Sequence, residues 1–278
     1  MADASSPKIS VLVVSRRSWA SLGQAIESVC NQSYSNIHVI MVRDGRVPQE
    51  WEQLPQRFPR RTFELILPHH IGIAPRDTYV ASRTGALRNI GMERVESPYA
   101  AFLDDDNSFS CDHFSSLFQL MKAEHLDGVF SARKVFWPNK EPYLEHRYPW
   151  PVRGMTPTEA WRYFEERGVV TPGTNEWQDI FGFDGDDVLT VDTSEWLLPT
   201  EIWRRFPFQT TYTEKERWLF RGNDYMFGQE MLHNRIRARS TRKPTLRYYL
   251  GGFSNERSIQ SRCVKCGQLQ TEREESRA

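Results

Sequence analysis

The sequence predicts an α/β fold with a central, mainly parallel sheet flanked by helices. Three observations predict it. Short apolar runs of strand length alternate with segments of helical periodicity, the runs lack the polar alternation of a half-exposed sheet, and polar residues follow the ends of several strands. Strands buried on both faces read as continuous apolar runs, and their alternation with helices implies parallel pairing.

The first half of the chain carries this pattern most clearly. Ile9 to Val14 is β-branched and apolar, as a buried strand requires, and Leu22, Ala25, Ile26 and Val29 then recur at helical spacing. The remaining elements are predicted as strand 37–42, strand 63–67, a helix over 87–95, strand 99–103, a helix over 114–121 and strand 129–132.

The second half changes character near Val135. Thr156 with Glu159 forms a capping box with Pro157 at the first helical position, and Gly168 ends the predicted helix. We predict a loop over 171–187, an extended segment over 188–192, a helix over 199–205 and another helix after Gly222.

Composition limits the classes of function. Lys plus Arg equals Asp plus Glu at 36 each, so no whole-molecule basic field attracts nucleic acid. The four cysteines do not read as a disulfide framework, and the Cys263–Cys266 pair is expected to be free thiols because no second ligand pair follows it. Since no apolar run has the length of a membrane span and the first residues are polar, we expect a cytoplasmic protein.

The acidic triplet Asp104–Asp106 directly follows the apolar run 99–103. Three adjacent carboxylates repel one another unless a cation binds, and oxygen ligands of this kind favour Mg²⁺, Mn²⁺ or Ca²⁺. The alternative is a solvated loop that caps the helix beginning near His113.

Polar signals also follow the first two strands, at Ser15-Arg16-Arg17 and at Asp44-Gly45. Ligands of open α/β sheets gather beyond the carboxyl ends of the strands, where these residues and the acidic triplet meet. Neither GxGxxG nor GxxxxGK[ST] occurs, so metal and basic side chains would have to bind any phosphate.

These landmarks, with Glu27 to Tyr34 and Leu87-Arg88-Asn89-Ile90-Gly91 between them, resemble the nucleotide-sugar-binding half of a GT-A glycosyltransferase of family 2. The resemblance covers about residues 8–132. It implies the GT-A (nucleotide-diphospho-sugar transferase) fold and a metal-dependent enzyme that moves a sugar from a UDP-sugar, by preference, to an acceptor hydroxyl.

The resemblance also implies roles on the donor side. Asp44 matches the position that holds uracil, Arg88 approaches the nucleotide, and Ser15 and Arg17 lie beside it. Asp104 and Asp106 would bind Mn²⁺ or Mg²⁺, and Asp104 and Asp105 would complete the nucleotide-binding set.

On the acceptor side, Asp224 is the candidate catalytic base of an inverting reaction, because Gly222-Asn223-Asp224 resembles the family's Glu-Asp element. Asn223 departs from that pattern, and Asp224 as a helix N-cap is the alternative. Asp192 and Glu195 are reserve candidates. Three further residues are considered without being assigned to the site: His146 and His233 as further metal ligands, and Trp196 as a sugar-stacking or core residue.

The predicted organisation is a flexible N-terminus over 1–7, a nucleotide-sugar-binding half over 8–132, an acceptor-binding and catalytic half over 133–254, and a charged tail over 255–278. The expected partners are the nucleotide-sugar and a small-molecule, glycan or protein acceptor. A non-catalytic carbohydrate- or protein-binding module on the same scaffold and a sugar nucleotidyltransferase remain the alternatives.

Overall fold

The computed structural model describes residues 6–15, 19–67, 79–183, 186–219 and 221–252. The strands are β1 Ile9–Ser15, β2 Ile37–Arg43, β3 Thr62–Ile66, β4 Tyr99–Asp104, β5 Ser108–Phe109, β6 Gly128–Phe136, β7 Glu176–Trp177, β8 Phe181–Phe183, β9 Asp186–Leu189, β10 Trp196–Pro199 and β11 Ala238–Tyr249. The helices are α1 Trp19–Cys30, α2 Leu54–Arg57, α3 Val80–Glu93, α4 His113–Glu124, α5 Pro157–Glu166, α6 Thr200–Arg205, α7 Glu214–Trp218 and α8 Asn223–His233, with 3-10 turns at Gln49–Gln53 and Thr193–Glu195.

The described strands form a nine-stranded sheet in the order β3-β2-β1-β4-β10-β6-β11-β5, with β7 paired to β6, and β8 and β9 form a separate pair. Strands β3, β2, β1 and β4 are parallel. Beyond β4 the sheet becomes mixed, because β10 runs antiparallel to both β4 and β6. The predicted α/β architecture is therefore confirmed, with a parallel half and a mixed half.

Both faces of the sheet are covered, as the continuous apolar runs predict. On β1, Ile9, Val11 and Val13 belong to one buried cluster, which also holds the apolar residues of α1 and α4. Leu12 belongs to the other cluster, with residues of α3, α6 and α8. At Gly91 of α3 an added Cβ would lie 2.6 Å from Leu12 Cδ2, so this helix packs too closely on the sheet for a larger residue.

The second half contains strands that the sequence pattern does not predict. The expected loop over 171–187 contains β7, β8 and the start of β9, and neither β10 nor β11 was expected. Strands as short as β7, β8 and β10 cannot show periodicity. β8 pairs with the neighbouring β9, whereas the partners of β7, β10 and β11 lie far away in the chain, so long-range pairing defines these three strands.

The chain divides into two compact units, residues 1–134 with 176–248 and residues 135–175 with 249–278. In the second unit, α5 begins at Thr156 with the predicted capping box, closed by hydrogen bonds between Thr156 and Glu159 in both directions. The division of function between residues 132 and 133 remains a prediction.

Some of the predicted features lie outside the described residues, namely Arg17, the Cys263–Cys266 pair and the tail 255–278. The described Cys30 and Cys111 are both free thiols, and burial raises the pKa of Cys30 to about 12. In the described part of the chain, no helix has both the length and the apolar character needed to cross a membrane.

Candidate active site at the carboxyl edge of the parallel strands

The acidic triplet occupies the turn that follows β4. Asp104 is the last residue of the strand, and its carbonyl accepts a hydrogen bond from the Asn107 amide at 3.1 Å. Asp104 and Asp106 are partly exposed, whereas Asp105 is buried. The N-cap of α4 is Asp112, and no acidic residue lies in the first turn of that helix. The helix-capping alternative for the triplet is therefore not observed.

Asp105 faces the end of β1. Its Oδ2 accepts a hydrogen bond from Ser15 Oγ at 2.8 Å, and Ser15 Oγ accepts one from Arg43 Nη1 at 2.8 Å. Ser15 and Asp105 are both buried, so these bonds join the ends of β1, β2 and β4. The three adjacent acids are thus divided, with one carboxylate turned inward and two left accessible.

Asp44, after β2, forms a salt bridge with Arg83 of α3. Their side chains are 23% and 38% exposed, so a ligand can reach both. The sequence assigned no role to Arg83. Its position five residues before Arg88 on one helix is the signal that could have drawn attention to it.

Arg88 is the centre of the site. Its side chain is only 4% exposed and packs against the rings of Phe102 and Phe208, with Cζ 5.8 Å and 5.1 Å from the ring centroids. Arg88 Nη2 donates to Asp104 Oδ1 at 2.8 Å, and Nη1 lies 3.6 Å from Asp224 Oδ1. Burial alone would lower the pKa of Arg88, but the surrounding carboxylates outweigh burial and raise it, so the guanidinium is charged.

Asp224 lies in the first turn of α8, and its side chain is 41% exposed. The N-cap of this helix is Gly222, so the N-cap alternative for Asp224 is wrong. Thr193 Oγ1 accepts from Arg88 Nη1 at 3.1 Å and donates to Asp224 Oδ1. The predicted donor-side acid and the predicted base therefore contact one guanidinium.

Asn223, which stands where the family has an acid, is buried and structural. Its Oδ1 accepts a hydrogen bond from the Tyr212 hydroxyl at 2.7 Å. The Tyr212 ring packs edge to face on Tyr79 with 4.8 Å between centroids, and the Tyr79 hydroxyl donates to the Arg221 carbonyl. This cluster holds the start of α8 in place.

The two reserve candidates for the base lie behind the site. Asp192 and Glu195 are both buried and cap the 3-10 turn at Thr193–Glu195. Burial, together with the nearby Asp224 and Asp104 and against Arg133, raises the pKa of Asp192 to about 7. Such a pKa suits a base, but an acceptor cannot easily reach a buried carboxylate, whereas Asp224 is exposed.

The remaining candidates have structural surroundings. Trp196 is buried in β10 against Phe130 and Phe181, with ring centroids 4.9 Å and 5.1 Å away, so its ring serves packing. His146 stacks on a buried Trp161 within the unit formed by residues 135–175 with 249–278. His233 ends α8, nine residues or about 14 Å along the helix axis from Asp224.

The described residues contain no group of three His, Cys, Asp or Glu side chains arranged to hold a metal ion. Among the described residues, the predicted pair Asp104 and Asp106 is therefore not extended to a group of three. Mg²⁺ and Mn²⁺ sites often have few protein ligands and are completed by water and phosphate oxygens, so this donor set fits them.

Comparison with known proteins supports the interpretation of this fold. The sequence model of Glycosyl transferase family 2 matches residues 10–184. The chain belongs to this family of transferases. It is 30% identical over 122 residues to an uncharacterized glycosyltransferase of Haemophilus influenzae, a match that spans 43% of this chain and 44% of that protein.

The structure is similar to crystal structures of TarS 1-349 from S. aureus. The complex with UDP-GlcNAc has a TM-score of 0.55 and 13% identity over 90% of this chain and 61% of that one. The complex with UDP has a TM-score of 0.56 and 13% identity over 95% and 67%, respectively. At this identity the likeness shows the fold, which is the expected GT-A fold.

Proposed function

We propose that the chain transfers a sugar from a nucleotide-diphosphate donor, a UDP-sugar by preference, to an acceptor hydroxyl, with a divalent cation and inversion at the anomeric carbon. Family membership supports sugar transfer, and the complexes of TarS with UDP and UDP-GlcNAc support the donor class. The observation that carries the proposal is the contact of Arg88 with both Asp104 and Asp224.

The donor base would bind at Asp44 and Arg83. The carboxylate is a hydrogen-bond acceptor and the guanidinium a donor, side by side and partly exposed. The uracil edge offers an N–H between two carbonyl groups, which is complementary to this pair. Ser15, Arg17 and Asp105 complete the proposed nucleotide side of the site.

Asp104 and Asp106 would hold Mn²⁺ or Mg²⁺ against the diphosphate. A cation there neutralises the negative charge that develops on the leaving nucleoside diphosphate. Arg88 keeps the Asp104 carboxylate in one orientation through its 2.8 Å hydrogen bond. Because the Phe102 and Phe208 rings fix the guanidinium in turn, the site is preorganised before the donor binds.

Asp224 would accept the proton of the acceptor hydroxyl as this oxygen attacks the anomeric carbon. It is the most exposed carboxylate that Arg88 contacts, and Thr193 fixes one of its oxygens while leaving the other available. We accordingly propose that residues 8–132 bind the donor and that residues 133–254 supply the acceptor side and the base.

A thermal-shift experiment tests this proposal without an acceptor. UDP and GDP are each added with Mn²⁺ or with EDTA to the wild type, to Asp106→Asn and to the control Asp112→Asn at the N-cap of α4. We expect UDP with Mn²⁺ to raise Tm by about 5–10 °C at a hundredfold excess over Kd. The shift should vanish in EDTA and in Asp106→Asn but remain in Asp112→Asn.

Two results would contradict the proposal. If neither UDP nor GDP raised Tm, the result would exclude the donor site and favour the binding-module alternative. If UDP raised Tm by the same amount with EDTA as with Mn²⁺, the result would exclude a metal requirement for donor binding.

A further inference from the structure

Behind the candidate site, one guanidinium and three carboxyl groups are buried together. They are Arg133 of β6, Asp179, Asp192 and Glu195. The side chains of Asp179 and Glu195 are fully buried, and those of Arg133 and Asp192 are 4% and 10% exposed. Three ionised acids beside one cation would leave an uncompensated buried charge, which is very costly.

The contacts of Arg133 show which of the three acids it pairs with most closely. Its Nη2 donates to Asp179 Oδ1 at 2.8 Å and to the Thr190 carbonyl at 3.1 Å, whereas Nη1 is 3.9 Å from Asp192 Oδ2. Arg133 also packs over the Tyr248 ring of β11, with 5.3 Å from Cζ to the ring centroid. Burial raises the pKa of Asp179, and the charge and hydrogen bond of Arg133 oppose this rise, so Asp179 is the acid whose ionised form Arg133 favours most directly.

Glu195 has one oxygen with a donor and one without. Its Oε2 accepts from the Asp192 amide at 2.7 Å. Glu195 Oε1 and Asp179 Oδ2 are both buried and have no hydrogen-bond partner in the described chain. The Glu195 carboxyl group and the Thr190 hydroxyl both lie close enough to Asp179 to hydrogen-bond with its carboxyl group. Two carboxyl oxygens can form a hydrogen bond only when one of them carries a proton.

We propose that Glu195 is a protonated positioning residue, whose O–H donates to Asp179 while its other oxygen holds the Asp192 amide. The two bonds clamp the turn at Thr193–Glu195 from behind. On its front side, Thr193 contacts Asp224, and Ser194 Oγ accepts from the Asp104 amide at 3.3 Å. The role of this turn in positioning Asp224 and Asp104 rests on the proposed function. The clamp, meaning the two hydrogen bonds of Glu195, does not depend on it.

The electrostatic surroundings agree with this protonation state. The charged or titratable groups around Glu195 are Asp179 before β8, Arg133 on β6, Asp192 at the start of the turn and, beyond Arg133, Tyr248 on β11. Burial, with Asp179 and Asp192 and against Arg133, raises the pKa of Glu195 well above its ordinary value. Ionisation would place a second negative charge beside Asp179 and remove the O–H donor that holds the turn.

Infrared spectroscopy tests the clamp independently of any ligand. At about pH 8, above the pKa of about 7 of Asp192, the wild type should show the carbonyl stretch of a buried protonated carboxyl group. We expect Glu195→Gln and Asp179→Asn to lose this band, since an amide then donates in place of the acid. The exposed Glu201→Gln of α6 should keep it. A wild type without the band, or a Glu195→Gln variant that retains it, would overturn the proposal.

The pH dependence of stability gives a second readout. A carboxyl group whose folded pKa lies above the unfolded value stabilises the fold fully below about pH 4.3, and this stability is lost as the pH rises through the folded pKa. The Tm of the wild type should therefore fall more steeply towards alkaline pH than that of Glu195→Gln. Parallel Tm curves for the two proteins would contradict a protonated Glu195.

Activity then tests the positioning role. With UDP-GlcNAc as the donor probe and release of UDP as the signal, Glu195→Met should lower kcat about 100-fold with little change in KM. Glu195→Gln should retain wild-type kcat and extend it to higher pH. Equal losses in both variants would overturn the positioning role. A protein that shows the infrared band but releases no UDP from any UDP-sugar would contradict the proposed function and leave the clamp intact.

Discussion

Two neighbours on other elements hold Asp224 in place. Arg88 of α3 lies 3.6 Å from its Oδ1, and Thr193 donates to the same oxygen. The second oxygen is available on the partly exposed side of the residue. A carboxylate held in this way loses little conformational entropy when an acceptor hydroxyl docks. A general base must also lie within hydrogen-bonding distance of the proton that it accepts.

We predict that Asp224→Asn keeps donor binding and abolishes transfer. The amide oxygen can still accept from Thr193, so the site keeps its shape, but the amide cannot take a proton. The UDP and Mn²⁺ thermal shift should stay unchanged, while transfer falls by about 10²–10⁴-fold. Glu230→Gln, on the exposed side of the same helix, should behave as the wild type. An active Asp224→Asn enzyme would exclude Asp224 as the base.

The end of α1 depends on a residue far away in the chain. Arg61, just before β3, donates to the carbonyls of Cys30, Gln32, Tyr34 and Ser35. The last carbonyls of a helix have no intrahelical donors, and here one guanidinium satisfies the helix end and the turn that leads into β2. These bonds connect the start of β3 to the end of α1 and to the turn that leads into β2.

Arg61→Met should therefore destabilise the protein by about 2 kcal/mol, because four carbonyls lose a charged donor and only part of them can turn to water. Urea denaturation with a constant m-value measures this change. Arg60→Met, at an exposed neighbouring position, should stay within about 0.5 kcal/mol of the wild type. If Arg61→Met lowered the free energy of unfolding no more than Arg60→Met does, the four hydrogen bonds would add nothing to stability.

On the scale of the first compact unit, α3 connects the two sides of the candidate site. It carries Arg83 and Arg88, and it packs against α8 and against the segment Phe208–Gln209 that precedes α7. Asn89 donates to the Phe208 carbonyl and accepts from the Phe208 amide, both at 2.9 Å. The close approach occurs at Gly85, where an added Cβ would lie 2.5 Å from the Gln209 carbonyl and 3.0 Å from Asn223 Oδ1.

We predict that Gly85→Ala displaces this segment and with it the start of α8. The backbone oxygen cannot move aside as a flexible side chain would, so overpacking should cost about 1–3 kcal/mol. Transfer should fall about 100-fold, since Asp224 moves with α8, while UDP binding is only mildly weakened. Thr84→Ala, one residue earlier, should leave both unchanged. Unaltered transfer by a stable Gly85→Ala protein would separate the packing of α3 from the position of Asp224.

Much of the fold could be predicted because its signals are local. Strands β1, β2 and β4 are continuous apolar runs, and α1 and α4 show helical periodicity, so the parallel half and its carboxyl edge follow from the pattern. Only the second half of α3 was predicted, because residues 80–86 lack a clear apolar periodicity. The acidic triplet, Asp44 and Arg88 were predicted at this edge, and the structure describes them there. Strands β10 and β11 were missed because only distant partners stabilise them.

The sequence by itself determined the α/β class, the family and the edge of the sheet at which polar residues gather, because these depend on local periodicity and on short motifs. Only the tertiary structure decided which way each side chain points. It turned Asp105 inward to Ser15, paired Asp44 with Arg83, and joined Asp104 to Asp224 through Arg88. The physical reason is that hydrogen bonds and charges act between atoms close in space, and residues 88 and 224 become neighbours only after the chain has folded.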